Sequence, residues 1–246
     1  MPSQLVCRPE RGFPVAALRV RGTLDQVTGD ALQQAVRLRL ADQPTVLLLD
    51  VAGLRIGDPV GLSALSATVC EAQEWPDVPV VLCGADRPTL TMITDAPDCA
   101  GLRYADDFTA AVAAARAETV PPRIRVRMRP VPDACRQVRH LVTQACTAWQ
   151  RSGLTATATL IATELVANVV RHAHTTMDFT LRPLQGGRLG MTVRDHSRRM
   201  PKPSDAGLSD PGGRGLRLVR DLTDAWGVLP VTDGKVVWTR LCADAF

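Results

Sequence analysis

Two adjacent prolines, Pro121 and Pro122, divide the chain into halves of opposite net charge, and this division limits the folds that the chain can adopt. Proline lacks a backbone N–H and breaks a helix interior, so no single helix continues through this point. Residues 1–118 carry 10 Lys and Arg against 15 Asp and Glu, a net charge of −5. Residues 119–246 carry 19 against 10, a net charge of +9, which predicts two domains with different partners. The predicted domains are 1–118 and 123–246, and the linker is 119–122.

Two short apolar runs, 45–51 and 78–83, indicate buried strands in the first domain. A strand that is covered on both faces is apolar throughout, whereas a half-buried strand alternates. The pattern also predicts a strand at 13–20 and helices at 25–40, 60–74, 87–94 and 108–117. Strands that alternate with helices predict a layered α/β fold.

The second domain shows another pattern. Arg123 to Arg129 alternates basic and apolar residues, which predicts a half-exposed strand. Helices are predicted at 132–151, 156–172 and 215–225, and hairpin strands at 177–182, 188–194, 227–231 and 235–241. Runs of helices and hairpins predict an α+β sandwich, with helices on one face of a mostly antiparallel sheet.

Composition narrows the class of protein. No apolar run approaches the roughly 20 residues that span a bilayer, and the first residues lack a secretory signal. The seven cysteines are widely spaced without a C-x-x-C pair, so neither a disulfide framework nor a zinc site is expected. We expect a cytoplasmic protein with no membrane association.

The positive charge of the second domain has more than one explanation. Its arginines are scattered and lack interleaved aromatic residues. A nucleotide phosphate or an acidic protein surface explains this charge at least as well as nucleic acid does. Direct nucleic-acid binding is disfavoured because no basic stripe carries stacking aromatics.

A carboxylate and a carboxamide lie four residues apart in the apolar segment 156–172. The spacing places Glu164 and Asn168 on one helix face, about one turn apart. Such a pair can orient a hydroxyl and hold a hard cation such as Mg²⁺. Taken alone, such a pair more often belongs to the solvent-exposed face of an amphipathic helix.

Two later features give the pair more meaning. Asp195 ends an apolar-alternating strand, where an aspartate is usually a turn former but can also accept a hydrogen bond from an exocyclic amine. Gly212-Gly213-Arg214-Gly215-Leu216 opens a helix, where glycines permit close backbone approach and free N–H groups attract phosphate. A lone glycine pair of this kind is more often a flexible turn.

The three features in this order resemble the GHKL-type ATPases, the fold of histidine kinases, gyrase and Hsp90. Glu164-Leu165-Val166-Ala167-Asn168 matches the E-L-x-x-N box of bacterial anti-sigma factor serine kinases, and residues 212–219 match their glycine box. The resemblance covers about residues 123–242. It implies an ATP- and Mg²⁺-binding domain that phosphorylates a serine in a partner protein.

The resemblance also implies roles for individual residues. Asn168 would hold Mg²⁺ against the ATP phosphates, and Asp195 would bind the adenine amine. Glu164 would be the general base that activates the serine hydroxyl. The phosphates would lie against Gly213, Arg214, Gly215 and Leu216.

One departure from the family concerns the D-x-G motif, which here is Asp195-His196-Ser197. Serine in place of glycine puts the loop geometry and the nucleotide affinity in question. His172, His174 and His196 lack the spacing of a metal site, so we interpret them as ordinary histidines.

The first domain resembles STAS domains, the fold of anti-sigma factor antagonists. The resemblance rests on residues 21–25, on the strand at 46–51 and on the loop that follows it. In that family the loop is D-S-S-G, and its first serine accepts the phosphoryl group. Here the loop is Asp58-Pro59-Val60-Gly61, without a hydroxyl at either serine position. Pro59 suits the first turn of a helix, while Ser63 and Ser66 are expected to be buried or capping.

These resemblances predict a regulator of sigma-factor partner switching. The leading interpretation is a serine kinase that acts on a separate STAS antagonist, holds a sigma factor, and carries a degenerate STAS domain. The alternative is a non-catalytic, nucleotide-dependent switch. The opposite charges and the missing serine suggest that the STAS domain docks on the ATPase domain, a hypothesis that fails if the separated halves do not associate. A homodimer is a further candidate assembly.

Overall fold

Each half of the chain is built on one five-stranded sheet. The computed structural model describes residues 4–10, 15–74, 78–99, 102–117, 122–200 and 214–242. Two compact units are Met1–Val120 and Pro121–Phe246. Linker residues 119–121 lie outside the described residues, so the domain bounds given above stay predictions.

The first unit alternates strands and helices. Its main elements are β1 (Leu5–Glu10), β2 (Val15–Leu24), α1 (Gly29–Leu40), β3 (Val46–Ile56), α2 (Pro59–Glu74), β4 (Val80–Cys83), α3 (Arg87–Thr94), β5 (Arg103–Ala105) and α4 (Phe108–Ala117). The sheet order is β1-β2-β3-β4-β5. β1 is antiparallel to β2, and the other neighbours are parallel. The predicted α/β fold is confirmed.

The central strand β3 shows why this sheet forms. Leu47 and Leu49 pack into the larger apolar cluster, whereas Leu48 packs into a second cluster with Ala111 of α4. Both faces of β3 are therefore buried, as its unbroken apolar run predicts. The pattern did not predict β1 or the three-residue β5, because short edge strands carry little periodicity.

The second unit packs helices on an antiparallel sheet. Its main elements are β6 (Ile124–Met128), α5 (Asp133–Ala148), α6 (Thr155–Asn168), β7 (Met177–Pro183), β8 (Leu189–Asp195), α7 (Arg214–Asp221), β9 (Ala225–Val231) and β10 (Gly234–Leu241). The sheet order is β6-β7-β8-β10-β9, with every neighbouring pair antiparallel. This arrangement confirms the predicted α+β sandwich.

One core joins the helices to the sheet. Val138 of α5, Ile161 and Leu165 of α6, and Phe179 and Met191 of the sheet belong to one buried cluster. Burial of such side chains contributes about 1.5–3 kcal/mol each. This packing fixes α6, and with it the Glu164/Asn168 face, relative to the strands.

The end of α6 differs from the prediction. Residues Val169–Ala173 wind as a π-helix instead of continuing the α-helix, and the N–H of His174 donates to the Val169 carbonyl at 2.9 Å. His174 has a left-handed φ of 53°, which ends the helix. Single π-turns inside helices are frequent at functional sites.

The same segment bears on the expectation that no part of the chain spans a membrane. Within the described residues, Ser152–Ala173 forms one helical stretch of 22 residues that is apolar and long enough to cross a membrane. Threonines interrupt its apolar residues, so the sequence shows no continuous apolar run there. It is weak evidence for a membrane span, since the core helix of a soluble domain passes the same test, and here Ile161 and Leu165 are core residues.

Candidate functional site

A cavity of about 350 Å³ lies in the second unit, between the end of α6, strands β8 and β10, and α7. Three of the predicted site residues, Asn168, Asp195 and Leu216, line it. The other lining residues are Leu165, Val169, His172, Ala173, Val193, Ser197, Arg199, Met200, Lys235 and Val237. A mostly apolar cavity with a few convergent polar groups is typical of a small-molecule site.

Glu164 and Asn168 meet the start of α7 at Gly215. A methyl group at Gly215 would lie 2.6 Å from Glu164 Oε2 and 3.6 Å from Asn168 Oδ1. A larger residue here would displace the Glu164 carboxylate, which lies at the end of a flexible side chain. Two features that are about 50 positions apart in the sequence thus form one polar corner beside the cavity.

This corner combines groups that suit a phosphate and a cation. The first backbone N–H groups of α7 lack helical partners and favour an anion. The oxygens of Glu164 and Asn168 are hard ligands of the kind that Mg²⁺ prefers, with phosphates and waters completing its shell. Among the described residues no group of three His, Cys, Asp or Glu side chains forms a metal site.

Arg171 restrains the carboxylate of Glu164. Its Nη2 donates to Glu164 Oε2 at 3.4 Å, and its Nε donates to the Ala167 carbonyl at 3.3 Å. The Glu164 side chain keeps 26% of its surface exposed, and that of Arg171 keeps 50%. The carboxylate is thus accessible to a second protein but already has one partner.

Asp195 lies almost fully buried at the end of β8 and has a partner that the sequence analysis missed. Lys235 Nζ lies 2.9 Å from both carboxylate oxygens. The two residues stand opposite each other in the β8–β10 pairing. The available signal was a lysine directly before the apolar residues 236–238 of β10, but its partner lies 40 positions earlier.

Ser197 fits its loop without the family's glycine. Its backbone N–H donates to Asp195 Oδ1 at 2.8 Å, the local bond of an Asx-turn. Among the described residues other than glycine, positive φ occurs only at Gln43, Gln150 and His174. Ser197 therefore has ordinary backbone geometry, and the loop does not require glycine here.

Two predicted site residues, Gly213 and Arg214, and two of the histidines interpreted as ordinary are still to be located. Gly213 lies outside the described residues. Arg214 begins α7. His172 lines the cavity, whereas His196 Nδ1 faces Asp233 Oδ2 at 3.5 Å on the surface.

In the first unit, the loop 58–61 forms a capped helix start. Asp58 Oδ1 accepts the Gly61 N–H at 2.7 Å, and α2 begins at Pro59. The chain packs so closely that a methyl group at Gly61 would overlap the Leu24 carbonyl. Val60 is half exposed, so this position is accessible but offers no hydroxyl.

The two serines further along α2 differ from each other. Ser66 is buried, as expected. The expectation for Ser63 was a buried or capping serine; it is exposed, and it lies in the second turn of α2, whose start is capped by Asp58.

Comparison with known proteins finds similarity to a protein family and to a curated relative. Residues 128–241 match the family described as histidine kinase-like ATPase domain. The anti-sigma-F factor antagonist RsfB of Mycobacterium tuberculosis is 39% identical over 54 residues, which are 22% of this chain and 44% of the relative. The chain thus spans under half the length of the curated relatives it matches.

Solved structures give weaker likenesses. An anti-sigma factor antagonist from Mycobacterium paratuberculosis aligns at 25% identity and a TM-score of 0.41, covering 47% of this chain and 97% of that one. The RsbU and RsbW domains of a Mycobacterium tuberculosis protein align at 15% identity and a TM-score of 0.39, covering 49% and 32%. The family match, the site geometry and the sheet orders lead to one conclusion: this chain joins a STAS-like domain to a histidine kinase-like ATPase domain at residues 128–241.

Proposed function

We propose that the second unit binds ATP with Mg²⁺ and phosphorylates a serine of a separate STAS antagonist protein, within a cytoplasmic partner-switching system that controls a sigma factor. The observation that carries the proposal is the corner where Gly215 contacts Glu164 and approaches Asn168. A carboxylate, a carboxamide and a helix start meet there beside a cavity of ligand size.

Each group has a distinct role in this proposal. The adenine base enters the cavity and its exocyclic amine donates to Asp195. The phosphates lie at the start of α7, against Gly215, Leu216 and the preceding Gly213 and Arg214. Asn168 Oδ1 would hold Mg²⁺, and the bound ion would neutralise phosphate charge.

Glu164 is the proposed general base. Its carboxylate is partly exposed, so the hydroxyl of a bound partner can approach it. It accepts the hydroxyl proton as the serine oxygen attacks the γ-phosphorus, and the bond to the leaving ADP oxygen breaks. Phosphoryl transfer otherwise requires mainly positioning and charge neutralisation.

The first unit does not receive the phosphoryl group at the family position. Pro59 and Val60 have no hydroxyl, while the Asp58 cap of α2 is retained. We therefore propose that the first unit binds an anti-sigma domain, either the second unit of this chain or the corresponding domain of another protein. Phosphorylation at this loop does not end that binding.

The first experiment tests nucleotide binding. ATP is titrated with and without Mg²⁺ into the full chain, its Asn168→Ala variant and a matched Thr163→Ala variant from the same helix. We expect the wild type and Thr163→Ala to gain affinity with Mg²⁺, and Asn168→Ala to lose that gain. Equal Mg²⁺ dependence in all three would remove Asn168 from the site.

The second experiment distinguishes a kinase from a non-catalytic switch. The switch is the second candidate because Glu164 already pairs with Arg171. The chain is incubated with γ-labelled ATP and a serine-bearing STAS protein. Label on the serine that disappears with Glu164→Gln supports the kinase; ATP binding without any label supports the switch.

A further inference from the structure

The cavity contains a buried cation as well as a buried carboxylate. Lys235 is 6% exposed and lines the same cavity as Asp195. A buried ammonium group requires acceptors for its hydrogen atoms. Lys235 Nζ has three acceptors within reach: the two Asp195 oxygens at 2.9 Å and the Ser197 carbonyl at 3.1 Å.

The two oxygens of Asp195 are not equally occupied. Oδ1 accepts both the Ser197 N–H and Lys235 Nζ. Among the described residues Oδ2 accepts from Lys235 alone, and it has capacity for one more hydrogen bond. The carboxylate therefore suits a base with a single exocyclic donor at this edge, rather than guanine, which presents two adjacent donors.

We infer that Lys235 is a second base-recognition residue, which donates from Nζ to the ring nitrogen N1 of adenine while Asp195 Oδ2 accepts from the exocyclic amine. The inference rests on the proposed function, because it requires that a nucleotide base enters the cavity. The donor and acceptor groups of the protein are adjacent, 2.9 Å apart, so the amine and N1, which are neighbours on one edge of adenine, can face both of them. N1 replaces the Ser197 carbonyl as the third acceptor of the ammonium.

The charge of Lys235 makes this contact selective. A hydrogen bond from a charged donor is roughly twice as strong as a neutral one. Hypoxanthine and guanine carry an N–H at N1, so their donor would face the ammonium and leave both donors without an acceptor. Selection by such a mismatch is stronger than selection by size, because a buried polar group loses its partner.

The test uses analogues that change the N1 edge of the base: 1-deaza-ATP lacks N1, and ITP has an N–H at N1 and a carbonyl in place of the amine. ATP, 1-deaza-ATP and ITP are titrated with Mg²⁺ into the full chain, with calorimetric detection of binding. The wild type is expected to bind ATP at least about tenfold more tightly than either analogue, a difference of about 1.4 kcal/mol. Because this comparison needs no variant, it does not depend on the folding of a mutant.

Two variants then assign the selectivity to Lys235. In Lys235→Met we expect ATP affinity to fall about tenfold and the difference between ATP and 1-deaza-ATP to vanish. Arg240→Met, which removes a cation from the same strand where it pairs with Asp224, keeps the wild-type ratios.

Three results would overturn the inference. Equal binding of ATP and 1-deaza-ATP by the wild type removes the N1 contact while the proposed nucleotide site stands. Tighter ATP binding by Lys235→Met identifies the lysine as an obstacle to the base. No binding of any nucleotide by the wild type removes both the proposed function and the inference.

Discussion

Each unit contains a buried aspartate with a cation beside it, and the two pairs differ in what surrounds them. Asp50 on β3 is 6% exposed and Asp195 on β8 is 2% exposed. Each accepts a backbone N–H two residues later, from Ala52 at 3.1 Å and from Ser197 at 2.8 Å. The local geometry is thus shared, although the folds are different.

The cations separate the two cases. Asp50 is held by Arg21 at 2.8 Å and Arg19 at 3.5 Å, whose side chains are 40% and 48% exposed. Asp195 is held by Lys235, whose side chain is only 8% exposed and lines the cavity. The arginines can turn to water if the aspartate is lost, whereas the lysine cannot. Burial of a carboxylate is thus common to both units, whereas among the described residues a buried partner beside a cavity is found at Asp195 and not at Asp50.

The strongest test of this contrast neutralises each aspartate. Asp195→Asn leaves Lys235 buried without a counter-charge, so we expect a loss of about 3–5 kcal/mol in the free energy of unfolding. Asp50→Asn leaves partly exposed arginines and should cost about 1–2 kcal/mol. Urea unfolding is followed by circular dichroism, and by tryptophan fluorescence, which reports mainly on Trp149, Trp226 and Trp238 of the second unit. Equal losses of unfolding free energy in the two variants would contradict the proposed difference between the two aspartates.

Two glycines extend the comparison from charge to space. At Gly61 a methyl group overlaps the Leu24 carbonyl, so Gly61→Ala must move backbone and should cost about 2 kcal/mol of stability. At Gly215 it meets the end of the Glu164 side chain, which can swing away. Gly215→Ala should lower the free energy of unfolding by less than about 1 kcal/mol. It should lower ATP affinity about tenfold, because the Glu164 side chain of the polar corner is displaced.

Gly153→Ala is the matched control, since no atom lies within 4 Å of its added methyl group. It should change neither stability nor ATP binding. A Gly215→Ala variant that binds ATP as the wild type does would show that this corner holds no phosphate.

The sequence pattern predicted most of the fold because buried positions are apolar and recur with the period of the helix or strand. The two-sided burial of β3 and the hairpins of the second unit follow from apolar runs and turn residues. β5 was missed because three residues carry no period. The π-turn at Val169–Ala173 was missed because the local pattern of apolar residues does not distinguish it from a continuing α-helix.

The site was predictable only in part, for a related reason. Glu164 and Asn168 share a helix face, so their proximity follows from spacing. The proximity of Asp195 and Lys235 follows from the register of β8 and β10, which are separated by α7 and β9 in the chain. Cross-strand partners are set by the sheet and not by sequence distance.

A smaller effect tests the loop that lacks its hydroxyl. Pro59→Ser restores a serine at the first turn of α2, where Asp58 caps the helix. Stability should change by less than about 1 kcal/mol, since proline only restricts the unfolded chain there. If the second unit is a kinase, labelled phosphate should appear on Pro59→Ser and not on the neighbouring control Val60→Ser. Label on both or on neither would contradict a position-specific acceptor.

The smallest expected effect is the acid dependence of the Asp50 pair. Burial alone raises the pKa of Asp50, but hydrogen bonds from Arg21 and Ala52 and the charges of Arg21 and Arg19 together hold it below its ordinary 3.8. A lowered pKa in the folded state stabilises the fold above the ordinary pKa, and this contribution is lost as the pH falls through the folded value. The stability gap between wild type and Asp50→Asn should therefore narrow as the pH is lowered below about 4. Asp30→Asn, at an exposed position on α1, controls for the change in net charge. A gap that stays constant down to strong acid would mean that the Arg21 pair contributes packing and not charge, and the contrast with Asp195 would then rest on the cavity alone.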